Sequence, residues 1–380
     1  MDPRLSLRDV PAHARRIEAL GYDGLHVAET VHDPFLVSLV ALQATTDLVV
    51  RTSVALALVR SPMAVAYSAW DLAETSGGRF QLGLGTQIRP HIERRFGAQF
   101  DDPVGRLRDH IGAVRACWRA FDGEAPLDYH AEHYELTLLT PNFTPDPLPK
   151  GVSPPSVRMG GVNKKLVEAA GAIADGFVTH PTNSHPRYLR EVCRPGLATG
   201  AERAGRSIAE IELVVGTQWI LGATRADIDE RREHNRRLLA FLYSTPAYER
   251  TLELFGWAEL AGRLRALIRE QRWSDLAGLV TDDILDTLVP QATYDELPDV
   301  AMEWFGDTAD GILVAPPPSD DHDRLLATAV DHLRSRCQEF SRAAPQCRAP
   351  RLHAPTSPRR RRSLRAARRS RPWCRRAPVR

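Results

Sequence analysis

Short β-branched and apolar segments that alternate with single helices predict an α/β fold built on a parallel sheet. Three observations carry that prediction. Arg51-Thr-Ser-Val-Ala-Leu-Ala-Leu-Val-Arg-Ser-Pro62 is a β-branched run closed by a proline, and an apolar, helix-like segment follows it over residues 63–75. Next, Ser76-Gly-Gly-Arg-Phe-Gln-Leu-Gly-Leu-Gly-Thr86 sets a Gly-Gly turn before a short apolar strand that itself ends in glycines. Finally, this strand, helix, strand unit recurs along most of the chain.

Taken in order, residues 7–20 form an amphipathic helix through Val10, Ala14, Ile17 and Leu20, stopped by Gly21. A strand over 24–29 follows, broken by Asp33-Pro34, and residues 35–46 return as a helix. The next strand covers 48–59 and its helix 63–75; residues 80–85 are the strand after that. A long excursion over 86–155 holds one clear helix, about 103–121, and then a proline-rich stretch expected to be a lid or insertion. The rhythm resumes with a strand at 156–159, a turn at 160–163, a helix at 164–174 and a strand at 176–180. A helix near 186–204, a strand at 212–221, helices at 227–242 and 256–271, a strand at 311–314 and a last helix over 320–340 complete the pattern.

About seven such strands over some 340 residues suit a (β/α)8 TIM barrel with an insertion after the fourth strand, for which ~250 residues plus insertions is typical. An open doubly wound sheet is the alternative, but the first βα turn has no glycine-rich dinucleotide fingerprint. Only Met1 to Ser6 precede the first helix, and Asp2-Pro3-Arg4 makes a poor strand. The first barrel strand is therefore expected to be missing or misannotated, through either a lost upstream segment or a damaged, weakly stable product, and a barrel without it has two unpaired edges.

The 380 residues are 43% hydrophobic, ample for a packed core. A net charge of +2 conceals a division: residues 343–380 hold 13 arginines and no acid, so residues 1–342 carry −11. We read residues 1–342 as one barrel domain and residues 343–380 as a disordered Arg-rich tail, either an extension or a frame-shifted read-through. Nucleic-acid binding through those arginines is the alternative, with only Trp373 as an interleaved aromatic. Five cysteines without CxxC spacing suggest neither a disulfide framework nor a zinc site. No apolar run nears the ~20 residues that span a bilayer, and no signal-peptide pattern opens the chain, so a reducing cytoplasm is the expectation.

Several residues fall where a barrel does chemistry. Gly83-Leu-Gly85 is too short for a phosphate loop, but glycines at a strand's carboxyl end either permit a bend or leave room for a flat ring. Gly160-Gly161-Val162-Asn163 separates a strand from a helix, where free N–H groups and the positive helix end can hold an anion; Lys164 and Lys165 add charge or are simply solvated. His32-Asp33 and His180 fall at strand ends, the active rim of a barrel, as proton carriers or as structural histidines. Asp320-Asp321-His322-Asp323 reads as a helix cap rather than a metal cluster. No HExxH, GxSxG or Cys/His arrangement appears, and no metal site is expected.

At Glu18-Ala-Leu-Gly-Tyr-Asp-Gly24, Ala28-Glu-Thr-Val-His-Asp-Pro-Phe35, Arg60-Ser-Pro62, Ser76 to Thr86, His91-Ile-Glu-Arg-Arg-Phe96 and Ala174-Asp-Gly-Phe177 the chain resembles the bacterial luciferase-like monooxygenase superfamily. Within it, the chain resembles the coenzyme F420-dependent oxidoreductases of actinobacteria. The resemblance implies a barrel with the cofactor ring across its carboxyl-terminal rim. It implies a strand bulge, often with a non-prolyl cis peptide, at Ser53-Val54-Ala55, and a pocket lined by Gly85, Thr86 and Gln87. Phosphate would rest on Gly160, Gly161 and Val162, beside His180. Relatives that oxidise alcohols and sugar phosphates place a histidine after the second strand, where this chain has Thr30 with His32 two residues on. Their glutamate has no clear counterpart, Glu93 lying further along than expected. Thr30, His32 and Glu93 are the catalytic candidates.

Hydride transfer between F420 and a small organic substrate is the expected activity. FMN-dependent monooxygenation with O2 and a separate reductase is the alternative, and a degenerate, non-catalytic flavin-binding barrel is a third reading. Neither a membrane nor a specific nucleic acid is an expected partner; a homodimer is expected by resemblance.

Overall fold

The computed structural model describes residues 4–343; the Arg-rich tail, expected to be disordered, lies outside the described residues. Among the described residues there are twelve strands: β1 (Gly24–Val27), β2 (Val49–Thr52), β3 (Ala55–Leu56), β4 (Phe80–Gly85), β5 (Tyr129–His130), β6 (Glu135–Leu136), β7 (Val157–Gly160), β8 (Gly176–Val178), β9 (Glu212–Val215), β10 (Ile220–Gly222), β11 (Gln291–Thr293) and β12 (Gly311–Ile312). The main sheet has eight of them, ordered β1-β2-β4-β7-β8-β9-β12 with β3 also on β4, and every pairing in it is parallel. After α1 (Val10–Ala19), which leads into β1, helical crossovers such as α2 (Pro34–Gln43), α3 (Pro62–Ser76), α4 (Pro103–Phe121) and α5 (Lys164–Ile173) connect these strands. Local chemistry sets their starts: Asp33, Ser61, Asp102 and Asn163 accept backbone N–H bonds as caps, and proline opens α2, α3 and α4.

Among the described residues, β1 and β12 do not pair with each other, so the path of the sheet stays open between them. That agrees with the two unpaired edges expected from the sequence. Side chains cross the seam instead. Arg16 on α1 meets Asp323 at 2.6 and 2.8 Å and the carbonyls of Pro317 and Ser319, while Arg334 reaches Asp23 and the Gly21 carbonyl.

Two of the expected elements come out differently. The stretch predicted as one strand over 212–221 is broken at Gly216, and its halves join different sheets, because β10 pairs with β11 rather than continuing β9. Between β10 and β11 run helices such as Arg225–Tyr243 and Ala258–Arg269, packed on an apolar cluster of their own through Ile220, Ile228, Leu239, Leu264 and Leu285. The insertion with its own core thus follows β9. The later part of the excursion after β4, residues 129–146, is instead an outer strap. Tyr67 bonds the Phe143 carbonyl (2.6 Å), Trp70 the Asp146 carbonyl (3.1 Å) and Tyr129 the Asp109 carbonyl (2.9 Å), which holds the strap along α3 and α4 rather than across the strand ends.

The interior of the sheet carries a buried polar layer. His26 lies opposite Arg51 and Arg51 opposite Gln81, while Arg158 donates to Gln81 (2.8 Å) and pairs with Glu212. Burial, together with the charge of Arg158, pushes Arg51 down to about 9.

His110 on α4 is fully buried, neither ring nitrogen has a hydrogen-bond partner among the described residues, and its ring meets Tyr134 edge-on at 5.6 Å. Burial, aided by the charge of Arg60, lowers its pKa to about 4. The unfolded chain binds that proton near pH 6.5, so the stability held by neutral His110 is complete above pH 6.5 and drains away as pH falls toward 4, at up to ~1.4 kcal/mol per pH unit. His180 and His185 are lowered likewise. Thermal melts from pH 8 to 4 should therefore show a falling midpoint below pH 6.5, and His110→Phe should flatten that slope by about one third.

Candidate active site

Strand register creates the centre of the site. Val50 pairs with Phe80 and Arg51 with Gln81, yet beyond them Ala55 pairs with Leu84 and Leu56 with Gly85. Four steps on one strand thus match three on the other, which is a bulge of one residue at Thr52 to Val54. The Ser53–Val54 peptide there is cis. Val54 projects toward the ends of two neighbouring strands: a Cβ at Gly85 would lie 2.5 Å from its Cγ2, and one at Gly160 2.8 Å from its Cγ1. These glycines therefore make room first for the Val54 side chain. Ser53, Val54, Ala55, Gly85 and Gly160 come together, with Ala55 wholly buried and Ser53 and Val54 half-buried at the rim.

On one flank stand Thr86 and Gln87, both half-buried. Gln87 adopts a left-handed backbone (φ 56°), and its side chain accepts from Ile88 N at 3.0 Å. On the other flank the chain passes from β7 through Gly161 and Val162 into α5. Gly161 has no room for a side chain, since a Cβ would fall 1.6 Å from Leu166 Cδ2. Asn163 caps Leu166 N at 2.8 Å, and Tyr188 donates to the Val162 carbonyl at 3.1 Å. Among the described residues nothing accepts from the N–H groups of Gly161, Val162 or Asn163. They precede the positive end of a ten-residue helix, a combination suited to an anion.

His180, just past β8, lies with Nδ1 2.8 Å from Thr182 Oγ1 and stacks on Tyr248 at 4.3 Å. Burial holds its pKa at about 4, so the ring is neutral at pH 7. Tyr248 comes from the β9 insertion, and that insertion is pinned to the same place by Tyr243 and Thr251, both donating to the Thr182 carbonyl at 2.9 and 2.6 Å. Its own elements gave the sequence reading no reason to connect Tyr248 with His180.

Beyond β1, Thr30 and His32 are both half-buried, and the Thr30 carbonyl accepts from Arg95. Glu93 belongs to the same turn as Arg95 but is exposed and paired with Arg89 at 2.6 Å. The structure thus brings that turn to Thr30 through Arg95. Sequence reasoning passed over Glu29. Its buried carboxylate accepts from Leu56 N and from Arg60, both at 2.7 Å, while Arg60 also meets Asp33 at 2.9 Å. An acid at the end of an apolar strand, with an arginine before the next proline-led helix, was the available signal. Gln218, in the loop after β9, was missed as well; it is 9% exposed, and neither amide atom has a partner among the described residues.

A separate cavity of about 560 Å³ lies at the opposite end of the strands, lined by Arg115, Trp118, Asp175 and Arg206 among others. Asp175 and Pro155 precede β8 and β7, so it is remote from the rim just described.

Parallel strands joined by helices in a sheet that stays open between β1 and β12, with a bulge among their carboxyl ends, define an α/β protein with a half-barrel sheet. The chain belongs to the luciferase-like monooxygenase family, whose model matches residues 2–300. A Mycobacterium tuberculosis protein whose name assigns no activity is 40% identical over 269 residues, 71% of this chain and 78% of its own length. The 5,10-methylenetetrahydromethanopterin reductase of Archaeoglobus fulgidus is 25% identical over 244 residues, 62% of this chain and 67% of its own. Among solved structures, the coenzyme F420-dependent tetrahydromethanopterin reductase of Methanopyrus kandleri is similar in fold, with a TM-score of 0.70 at 18% identity over 86% of this chain and 95% of that one. The EDTA monooxygenase of a Chelativorans species gives 0.64 at 16% identity, covering 87% of each.

Arg60→Gln would leave the Glu29 carboxylate buried beside one backbone donor. Urea denaturation should register a loss of roughly 3 kcal/mol, and Glu29→Gln, which removes the charge itself, should cost clearly less.

Proposed function

We propose that this protein is an oxidoreductase that transfers hydride between coenzyme F420 and a small organic substrate. The observation that carries the reading is the adjacency of the Val54 bulge, fitted between Gly85 and Gly160, to the free N–H groups at the start of α5. One offers an apolar face to a flat ring and the other holds a phosphate. The names of the Archaeoglobus and Methanopyrus proteins, both reductases, support the choice of chemistry.

When bound, a deazaflavin has carbon at the ring position where a flavin has nitrogen, so it exchanges two electrons as hydride and reacts poorly with oxygen. The residues of this chain supply position and electrostatics. Ser53, Val54 and Ala55 would carry one face of the ring, with Gly85, Thr86 and Gln87 along its side. Gly160, Gly161 and Val162 would hold the phosphate. His180, neutral and fixed by Thr182 and Tyr248, would act as a hydrogen-bonding partner with no charge of its own. Thr30 and His32 would exchange a proton with a substrate oxygen. Glu29 acts through Arg60 and Asp33 to hold that loop in place, and Glu93, engaged by Arg89 in solvent, has no assigned part.

The full chain should quench the fluorescence of F420 on titration and bind it at least tenfold more tightly than FMN. Preference for FMN, with oxygen consumed when reduced FMN is supplied, would move the assignment to a monooxygenase. Binding of neither would leave a non-catalytic barrel.

A further inference from the structure

A carboxamide removed from water with neither its oxygen nor its nitrogen bonded costs roughly 1–3 kcal/mol, so such a group calls for a partner. Gln218 is in that position. Its loop is tied to the exits of two strands. Gly216 N donates to Thr179 Oγ1 at 3.0 Å, next to His180, and Trp219 Nε1 donates to the Leu313 carbonyl at 3.0 Å, just past β12. The Trp219 ring turns to the helix layer, meeting Phe305 at 6.0 Å. Gln218 therefore sits on the rim between the ends of β8 and β12, on a segment held from both sides, with both amide functions unspent.

A primary amide offers an acceptor beside a donor, and its complement is a carbonyl beside an N–H. We propose that the Gln218 carboxamide recognises an imide edge of the ring bound at the rim, accepting from its N–H and donating to the adjacent carbonyl. The proposal rests on the reading that a deazaflavin or flavin binds there, and both kinds of ring carry that edge. Gln218 would then be a residue that positions the ring in its plane, complementing Val54 against its face and the α5 turn at its phosphate.

Full-length wild type and Gln218→Leu would be titrated with F420, with FMN and with FMN methylated on its imide nitrogen, and both proteins melted without ligand. Wild type should bind the methylated FMN about tenfold more weakly than FMN. In Gln218→Leu, affinity for F420 and FMN should fall about tenfold and the penalty for methylation should vanish, the signature of a lost two-point hydrogen bond. Replacing an unpaired buried amide by an apolar group of similar shape should also raise the ligand-free midpoint by about 2 °C. Unchanged affinities with an unchanged methylation penalty would overturn the proposal while leaving ring binding intact; a lowered midpoint in that case would show an internal water or fold contact as the amide's partner. If wild type binds no ring at all, the functional reading fails and takes the proposal with it.

Discussion

One extra residue in one strand shapes the rim of this protein. Between Arg51 and Ala55 the chain spends four steps where β4 spends three, and the surplus is taken up at Ser53 and Val54. A parallel sheet buried on both faces tolerates such a bulge only where the neighbouring strands yield space, and Gly85 and Gly160 do so. Because the bulge re-aims Val54, both glycines are committed before any ligand arrives. The apolar patch at the rim is therefore a product of register, and the anion-ready turn at Gly161 follows directly because Gly160 ends one strand of that same trio.

Charge burial organises the remainder. Within the sheet, Arg158 joins Gln81 to Glu212, and at the rim Arg60 joins Glu29 to Asp33. Arginine suits both tasks, since its planar fork reaches two partners at once and stays charged when buried. Such networks constrain geometry more than they add stability, because desolvation offsets much of the attraction. The Arg60 network holds the end of β1, the start of α2 and the segment after β3 as one unit, which fixes the surroundings of Thr30 and His32.

The insertion after β9 has a different relation to the site. It has its own apolar cluster and its own pair of strands, yet Tyr243, Tyr248 and Thr251 all return to residues 180–182. A helical unit with its own core that docks through Tyr243, Tyr248 and Thr251, and through Phe255 on His185 and Arg187, can vary in the rest of its surface without disturbing His180. The open seam between β1 and β12 is handled in a comparable way, by Arg16 and Arg334 reaching across rather than by backbone pairing.

Alternating strands and helices, the Gly-Gly turn before β4 and the glycine turn before α5 were all legible in the chain, because each rests on periodicity or on the backbone preferences of neighbouring residues. The family resemblance pointed to the bulge at Ser53-Val54-Ala55 for the same reason: its motif is contiguous. What sequence alone could not supply is who meets whom across the fold. Glu29 and Arg60 are 31 residues apart, Arg158 and Glu212 are 54 apart, and Tyr248 reaches His180 from another cluster. The break of 212–221 into two sheets likewise depended on β11 offering a partner to β10. Whether an acid is buried and paired or exposed, which separates Glu29 from Glu93, is decided by desolvation and long-range partners. Those exist only once the tertiary structure has formed.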